Sequence, residues 1–353
     1  MKLILAALPT LLALSFGLRV SKREICTVSS HNDPSKDDVP AISAALKKCG
    51  DTGRVLLPAN QTFHIRSPLS LSSCRACDFQ INGLLKVSDD WHYWRQQPAA
   101  FIVPNTTAAI IRSEGNTGII DANFFGLLNN YTTLPPAEQQ RIPKLFNIEK
   151  ESYQVLISNL VIKNTPGTAF FVSSNSTALR FYGLHFANEG AVGFEIENAK
   201  HVYLWNNTIR ANHACVQVRT NVENFQVEES NCIITAAEKR STSGIEFQLV
   251  VREFASYIRN IFARKVRIAG AANGVVFWTG QHKDEYHTVE VYNATFRDFE
   301  LEETAQAVYL EQCEEGKYGD GWWRAALNVS EVLFRNWSGQ VERESELTCT
   351  AEC

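Results

Sequence analysis

The sequence lacks the features that mark several large functional classes. Beyond its first residues it holds no apolar run long enough to cross a bilayer, so no membrane association is expected. It has no stripe of basic residues: 34 Lys and Arg stand against 38 Asp and Glu, with the signs mixed and a formal net charge of −4. Nucleic acid is therefore not an expected partner. No low-complexity stretch or linker divides the chain. A Cys-X-X-Cys occurs once, at Cys74-Arg-Ala-Cys77, with no second copy and no matching histidine pair. A zinc site would need both, so no metal and no cofactor is predicted.

What is present points to export. Lys2 followed by the apolar run Leu3 to Leu14, with small residues near Ser15 and Gly17, has the layout of a signal peptide over residues 1–17. The pair Lys22-Arg23 reads either as a propeptide processing site, extending the leader to residue 23, or as two solvated charges. Eight Asn-X-Ser/Thr sequons follow, at Asn60, Asn105, Asn130, Asn175, Asn206, Asn293, Asn328 and Asn336, as expected of a glycosylated surface. Nine cysteines suit an oxidising compartment. The expectation is a secreted, extracellular monomer with its folded part over residues 24–353, 45% of the chain being apolar and ample for a core.

The centre of the chain, Gln154 to Ile234, repeats itself. Val155–Ile162, Leu179–Phe186, Val202–Ile209 and Phe225–Ile233 each alternate apolar and polar residues, turn at an Asn or Gly, and start a second short apolar strand. Alternation of period two means strand. Asn159, Gly183, Asn207 and Asn231 are spaced 24 residues apart, and a fixed period of that order means stacked repeats that bury one another's apolar faces. Weaker copies lie at Ala263–Ile268, Val289–Phe296 and Val329–Phe334. The pattern predicts an all-β right-handed parallel β-helix, with those four residues stacked in one column. The alternative is an antiparallel sandwich, which calls for turns every 8–12 residues. Ahead of the repeats, Asp38 as N-cap and Pro40 in the first turn predict a short amphipathic helix ending at Cys49, able to close the end of the solenoid.

Cys26-Thr-Val, Asp37-Asp38-Val-Pro-Ala-Ile42, Ala45–Cys49, Val55-Leu-Leu-Pro58, Ser67–Leu71, the Tyr93-Trp94 pair, Leu310-Glu-Gln-Cys313 and the terminal cysteines carry a resemblance to the fungal exopolygalacturonases (galacturan 1,4-α-galacturonidases) of glycoside hydrolase family 28. It implies a parallel β-helix of the pectin lyase type that hydrolyses α-1,4 galacturonosyl bonds of pectin from the chain end with inversion. Together with proximity in sequence, it implies disulfides Cys26–Cys49, Cys74–Cys77, Cys215–Cys232 and Cys349–Cys353, and leaves Cys313 alone.

The family's catalytic motifs are replaced. Where it has Asn-Thr-Asp-Gly, an aromatic and Asp, this chain has Gly190-Ala-Val-Gly-Phe-Glu195, so Val192 stands for the catalytic Asp. Asp-Asp-Cys becomes His213-Ala214-Cys215, the histidine motif becomes Thr242-Ser243-Gly244, and Arg-Ile-Lys falls near Val275–Trp278. Inverting hydrolysis needs one carboxylic acid and one carboxylate on opposite faces of the bond, and Val192 and Ala214 supply neither. Arg and Lys would hold the substrate carboxylate; Val276 and Trp278 do not. Three readings follow: a pectin-facing protein that has lost catalysis, an active exo-hydrolase with a site rebuilt from His213, Glu195 and Glu246, or a non-catalytic decoy or interaction scaffold. Arg219, where the family has a basic residue, can hold a uronate carboxylate or form a surface ion pair. Trp278 can stack on a sugar ring.

Overall fold

The computed structural model describes residues 23–123, 142–165, 167–188, 190–236, 242–251, 256–282, 288–312, 322–323, 326–343 and 346–348. Alternating residues become strands that pair in parallel with the strand one coil earlier and one coil later. Three stacks of strands result, joined at corners. The stack that matters most here, the site sheet, runs through Ala99–Pro104, Lys144–Glu149, Thr168–Val172, Gly190–Ile196, the second half of Thr208–Val218, Ser243–Val251, Asn273–His282 and Gln306–Gln312. A second sheet runs through Leu156–Ser158, Ser176–Tyr182, Ala199–Trp205, Val222–Glu228, Ser256–Ala269, Thr288–Thr304 and Ala326–Val341. A third stack takes Val161–Lys163, His185–Phe186, the first half of Thr208–Val218 and Asn231–Ile234. All of these pairings are parallel, which rules out the antiparallel sandwich; His282 and Gln281 do pair antiparallel with Trp322–Trp323 at one margin. The chain is the expected parallel β-helix.

Register brings like residues together inside the solenoid. Phe101, Phe146, Phe170 and Phe194 stack rung on rung with ring centroids 4.8, 4.9 and 5.2 Å apart. Phe247 and Phe277 continue the pattern at 4.9 Å. Each fully buried ring contributes on the order of 2–3 kcal/mol of transfer free energy, and the offset stacking adds to it. No coil could bury these faces alone, so stacking is the condition of folding.

The expected column of turn residues needs a correction. Ser158 pairs with Tyr182, Tyr182 with Trp205, and Trp205 with Glu228. The residues that follow them therefore share a corner, and Asn159, Gly183, Asn206 and Glu229 all have φ between 50° and 60°. The first step is 24 residues and the next two are 23 each, from 183 to 206 and from 206 to 229. Asn159 and Gly183 stack as predicted, but Asn207 and Asn231 do not join them. Asn207 points inward: its Oδ1 accepts from Leu184 N at 2.9 Å and its Nδ2 donates to Phe181 O at 3.1 Å. Asn231 lies beyond the corner, opposite Thr208.

At the N-terminal end the helix spans Val39–Cys49, with Ile42, Leu46 and Cys49 buried against the first coil. Asp38 occupies the N-cap position but its side chain makes no cap bond. It is buried, and it accepts from His31 N at 2.9 Å, His64 N at 2.7 Å and Ser30 Oγ at 3.1 Å. It fastens the N-terminal segment to the strand Thr62–Ile65 instead of closing the helix. One helical turn, Trp91–Trp94, contains the Tyr93-Trp94 pair and buries both of its tryptophans.

The disulfides Cys26–Cys49, Cys74–Cys77 and Cys215–Cys232 are in place. Cys349, Cys353 and Cys313 lie outside the described residues, as do Asn130 and the expected leader. The other seven sequon asparagines are exposed, and all of them except Asn328 sit at positive φ, the turn conformation asparagine tolerates best.

Candidate active site

Register on the site sheet decides which side chains meet. Thr168, Val192, Ala214, Ser243 and Asn273 are successive rungs of one column. Three residues further along each strand, Phe171, Glu195, Gln217, Glu246 and Val276 form a second column. The pairing is irregular between Gly190 and Val192. Gly193 follows this irregularity, and an added Cβ there would stand 2.5 Å from Ile209 Cγ2 and 2.6 Å from Cys215 O. A larger residue would push the strand away from the disulfide behind it.

Val192, Ala214 and Ser243 are thus direct neighbours, as their shared motif positions imply, and all three are buried. Glu195 and Glu246 are also buried, but they are not on adjacent strands: Gln217 stands between them. Two strand spacings, about 9.5 Å, therefore separate their Cα atoms. The three residues of the expected rebuilt site divide into two clusters.

In the first cluster Glu195 accepts from Lys144 Nζ at 2.8 Å and Thr168 Oγ1 at 2.7 Å, and pairs with Arg219 at 3.0 Å. Burial alone raises the Glu195 pKa and is the largest single influence. The nearby charges of Lys144 and Arg219 and the two hydrogen bonds together outweigh it, so the carboxyl is held below its ordinary value. Arg219 also lies 3.8 Å from Glu197 and 3.4 Å from the Gln217 side-chain oxygen. Arg219 is thus held in an ion pair with a buried carboxylate.

In the second cluster His213 Nε2 lies 3.3 Å from Glu246 Oε2. Ser243 Oγ is 3.3 Å from the same oxygen, and Gln248 Nε2 donates to Oε1 at 2.8 Å. Burial again is the largest influence and raises the Glu246 pKa. The His213 hydrogen bond and charge, with Gln248 and Gln217, bring the net shift below the ordinary value. Trp278 sits opposite Gln248, one alternate position beyond the Glu246 column, and is half-buried. Val276 is buried beside Glu246. Phe277 faces the core, stacked on Phe247.

Lys144, Thr168, Gln217 and Gln248 were not among the sequence candidates. The motifs that carry the resemblance do not include them; Lys144 meets Thr168 and Glu195 from 24 and 51 residues away, Gln217 meets Glu246 from 29, and Gln248 reaches Glu246 on its own strand. Alternation within Lys144–Glu149 was the one available signal, and it gives a strand without saying what the strand faces. Among the described residues, the one grouping with metal-ligand proximity is Glu24, Cys26 and Cys49, whose two sulfurs are joined in a disulfide.

Chemically, the face offers two ionised carboxylates, each engaged by a cationic or hydrogen-bonding partner. A general acid for glycoside hydrolysis must keep its proton at the working pH, as a carboxyl of raised pKa does. Both glutamates are shifted the other way. Histidine is the side-chain type that exchanges a proton near neutrality, and His213 is the one in this cluster.

Comparison with known proteins gives consistent matches. The family description "Glycosyl hydrolases family 28" fits residues 50–353. Endo-xylogalacturonan hydrolase A of Aspergillus tubingensis is 27% identical over 308 residues, covering 83% of this chain and 72% of that protein. A probable endo-xylogalacturonan hydrolase A of Neosartorya fischeri is 25% identical over 330 residues, covering 90% and 78%. Among solved structures, endo-xylogalacturonan hydrolase from Aspergillus tubingensis superposes with a TM-score of 0.77 at 22% identity, over 93% of this chain and 96% of that one. A hyperthermoactive exopolygalacturonase from Thermotoga maritima gives 0.59 at 12% identity, over 92% and 89%.

Proposed function

The chain belongs to family 28 of the glycosyl hydrolases, and from that premise we propose that it is a secreted, pectin-directed member whose site sheet does not carry out the family's hydrolysis. The observation that supports this most is the pairing of Val192 with Ala214 on adjacent rungs. Two of the positions where the resemblance places acids are thus apolar neighbours, and neither can carry a proton or hold a water. The carboxylates that remain, Glu195 and Glu246, are held ionised, so neither replaces the missing acid.

The ligand class we propose is a pectic galacturonan. The narrower exopolygalacturonase specificity is supported by the sequence resemblance. The relatives above carry names for internal cleavage of xylogalacturonan, which supports a substituted galacturonan bound away from its ends. The two share a galacturonate backbone. Export is supported by the N-terminal pattern and by the disulfides, and among the described residues no helix is long and apolar enough to cross a membrane.

The test is reducing-end release from polygalacturonate and from xylogalacturonan by the purified secreted protein. No release above a no-enzyme blank, with retardation of the protein in gels containing polygalacturonate, is the expected result. Robust release from either polymer contradicts the proposal. One observation favours a second reading, a rebuilt site: His213 Nε2 stands 3.3 Å from Glu246 Oε2, an acid–base pair the family pattern does not imply. Galacturonate release that depends on both residues would establish it.

A further inference from the structure

We propose that the outer face of the second sheet carries a separate binding site for a uronate-bearing oligosaccharide, built from Arg180, Tyr182, Tyr203 and Trp205. The register places these four residues as a block. Arg180 is opposite Tyr203 and Tyr182 is opposite Trp205 on the adjacent strands Ser176–Tyr182 and Ala199–Trp205. They line a groove of about 350 Å³ whose floor includes Leu156, within the size range of small-ligand sites. It lies on a different sheet from Glu195 and Glu246, and it does not depend on whether the site sheet is active.

The groove has the chemistry of a sugar platform. The rings of Tyr182 and Trp205 are stacked, with centroids 4.7 Å apart and planes 19° from parallel. Trp205 is among the exposed large apolar residues of the chain. The stack covers one face of each ring, and the apolar C–H face of a pyranose packs on a face that it leaves open. The platform is also fixed in advance: Trp205 Nε1 donates to Glu229 Oε2 at 3.0 Å, and the Tyr203 hydroxyl is engaged by Glu228. A side chain already held in its bound rotamer loses little entropy when ligand arrives.

Charge selects the class of sugar. Glu228 is paired with Arg264, and Glu229 with Lys265 at 3.0 Å, so the carboxylates bordering the groove are neutralised. Arg180 is exposed and, among the described residues, pairs with no carboxylate. A guanidinium left free beside a stacked aromatic pair suits the carboxylate of a uronate, which it can hold with two parallel hydrogen bonds. The site sheet is the reverse case: there Lys144 and Arg219 are both committed to Glu195.

Isothermal titration of the glycosylated, full-length secreted protein with trigalacturonate, and with a neutral trisaccharide of the same linkage, tests this. Trp205→Ala and Arg180→Gln are each expected to raise the trigalacturonate dissociation constant about tenfold, with Arg180→Gln also removing the preference for the acidic sugar. Trp205→Phe and Arg180→Lys should retain most of the affinity. Unchanged melting temperatures would separate lost contact from lost folding. Three results overturn the proposal: no binding by the wild-type protein, binding that survives both substitutions but is lost in Trp278→Ala, and binding that appears only in Asn206→Gln. The last would mean that a glycan on the neighbouring Asn206 fills the groove.

Discussion

Glu195 receives three donors at once, from Lys144, Thr168 and Arg219, and it is the residue on which most of the site's electrostatics turns. Removing its charge leaves two cations facing each other. Glu195→Gln is expected to cost about 2–3 kcal/mol in urea unfolding. That is below the roughly 3–5 kcal/mol typical of a broken buried pair, because the side chains of Lys144 and Arg219 are 31% and 34% exposed and rehydrate. Glu195 and Glu246 both have pKa values lowered from 4.5 by folding. A carboxyl depressed in the folded state binds its proton more readily when unfolded. Its stabilisation is therefore complete above the unfolded value and is lost as pH falls through the folded one. Stability measured from pH 7 to pH 3 should drop below about pH 4.5, and Glu195→Gln with Glu246→Gln should flatten that drop; an unchanged slope would contradict the assignment. At this scale the sequence was partly legible. Motif positions brought out Val192, Ala214 and Ser243, which the register makes neighbours. Lys144 and Thr168 were not legible, since their importance comes only from a glutamate one or two coils away.

Coil length is a property of the element, and the error in the sequence reading arose there. Asn206 and Asn207 are adjacent, and asparagine suits a tight turn equally at either position. A 24-residue period selected Asn207, while the chain turns at Asn206 and sends Asn207 inward. The two roles predict different mutational costs. Asn207→Ala strips partners from Leu184 N and Phe181 O inside the solenoid and should cost about 2–4 kcal/mol by chemical denaturation. Asn231→Ala, at an exposed position, should change stability by less than about 0.5 kcal/mol. Similar costs at the two sites would restore the original column. The alternation of apolar residues was legible in the central coils because strands such as Ala199–Trp205 and Val222–Glu228 bury one face. The bend between Gly190 and Val192 was not, because it arises from fitting one coil against the next.

Across the whole molecule, stability is a chain of nearest-neighbour contacts between coils, so a lesion in the middle weakens both halves. The Cys215–Cys232 bridge closes a separation of 17 residues in the central coils. Replacing both cysteines by alanine should cost about 3 kcal/mol and lower the melting temperature, with limited proteolysis cutting near these coils first. The solenoid as a whole was legible from its repeats and from the family resemblance. The proposed loss of hydrolysis rests on apolar residues at positions where hydrolysis requires acids. General acid–base assistance contributes about 10²–10⁴-fold, and under the proposed function both arms of it are missing. The most direct test is galacturonate release from polygalacturonate, measured by mass spectrometry for the wild-type protein beside His213→Ala and Glu246→Gln prepared in parallel. No release above the blank is expected from any of the three. Release by the wild-type protein that disappears in both variants would contradict it.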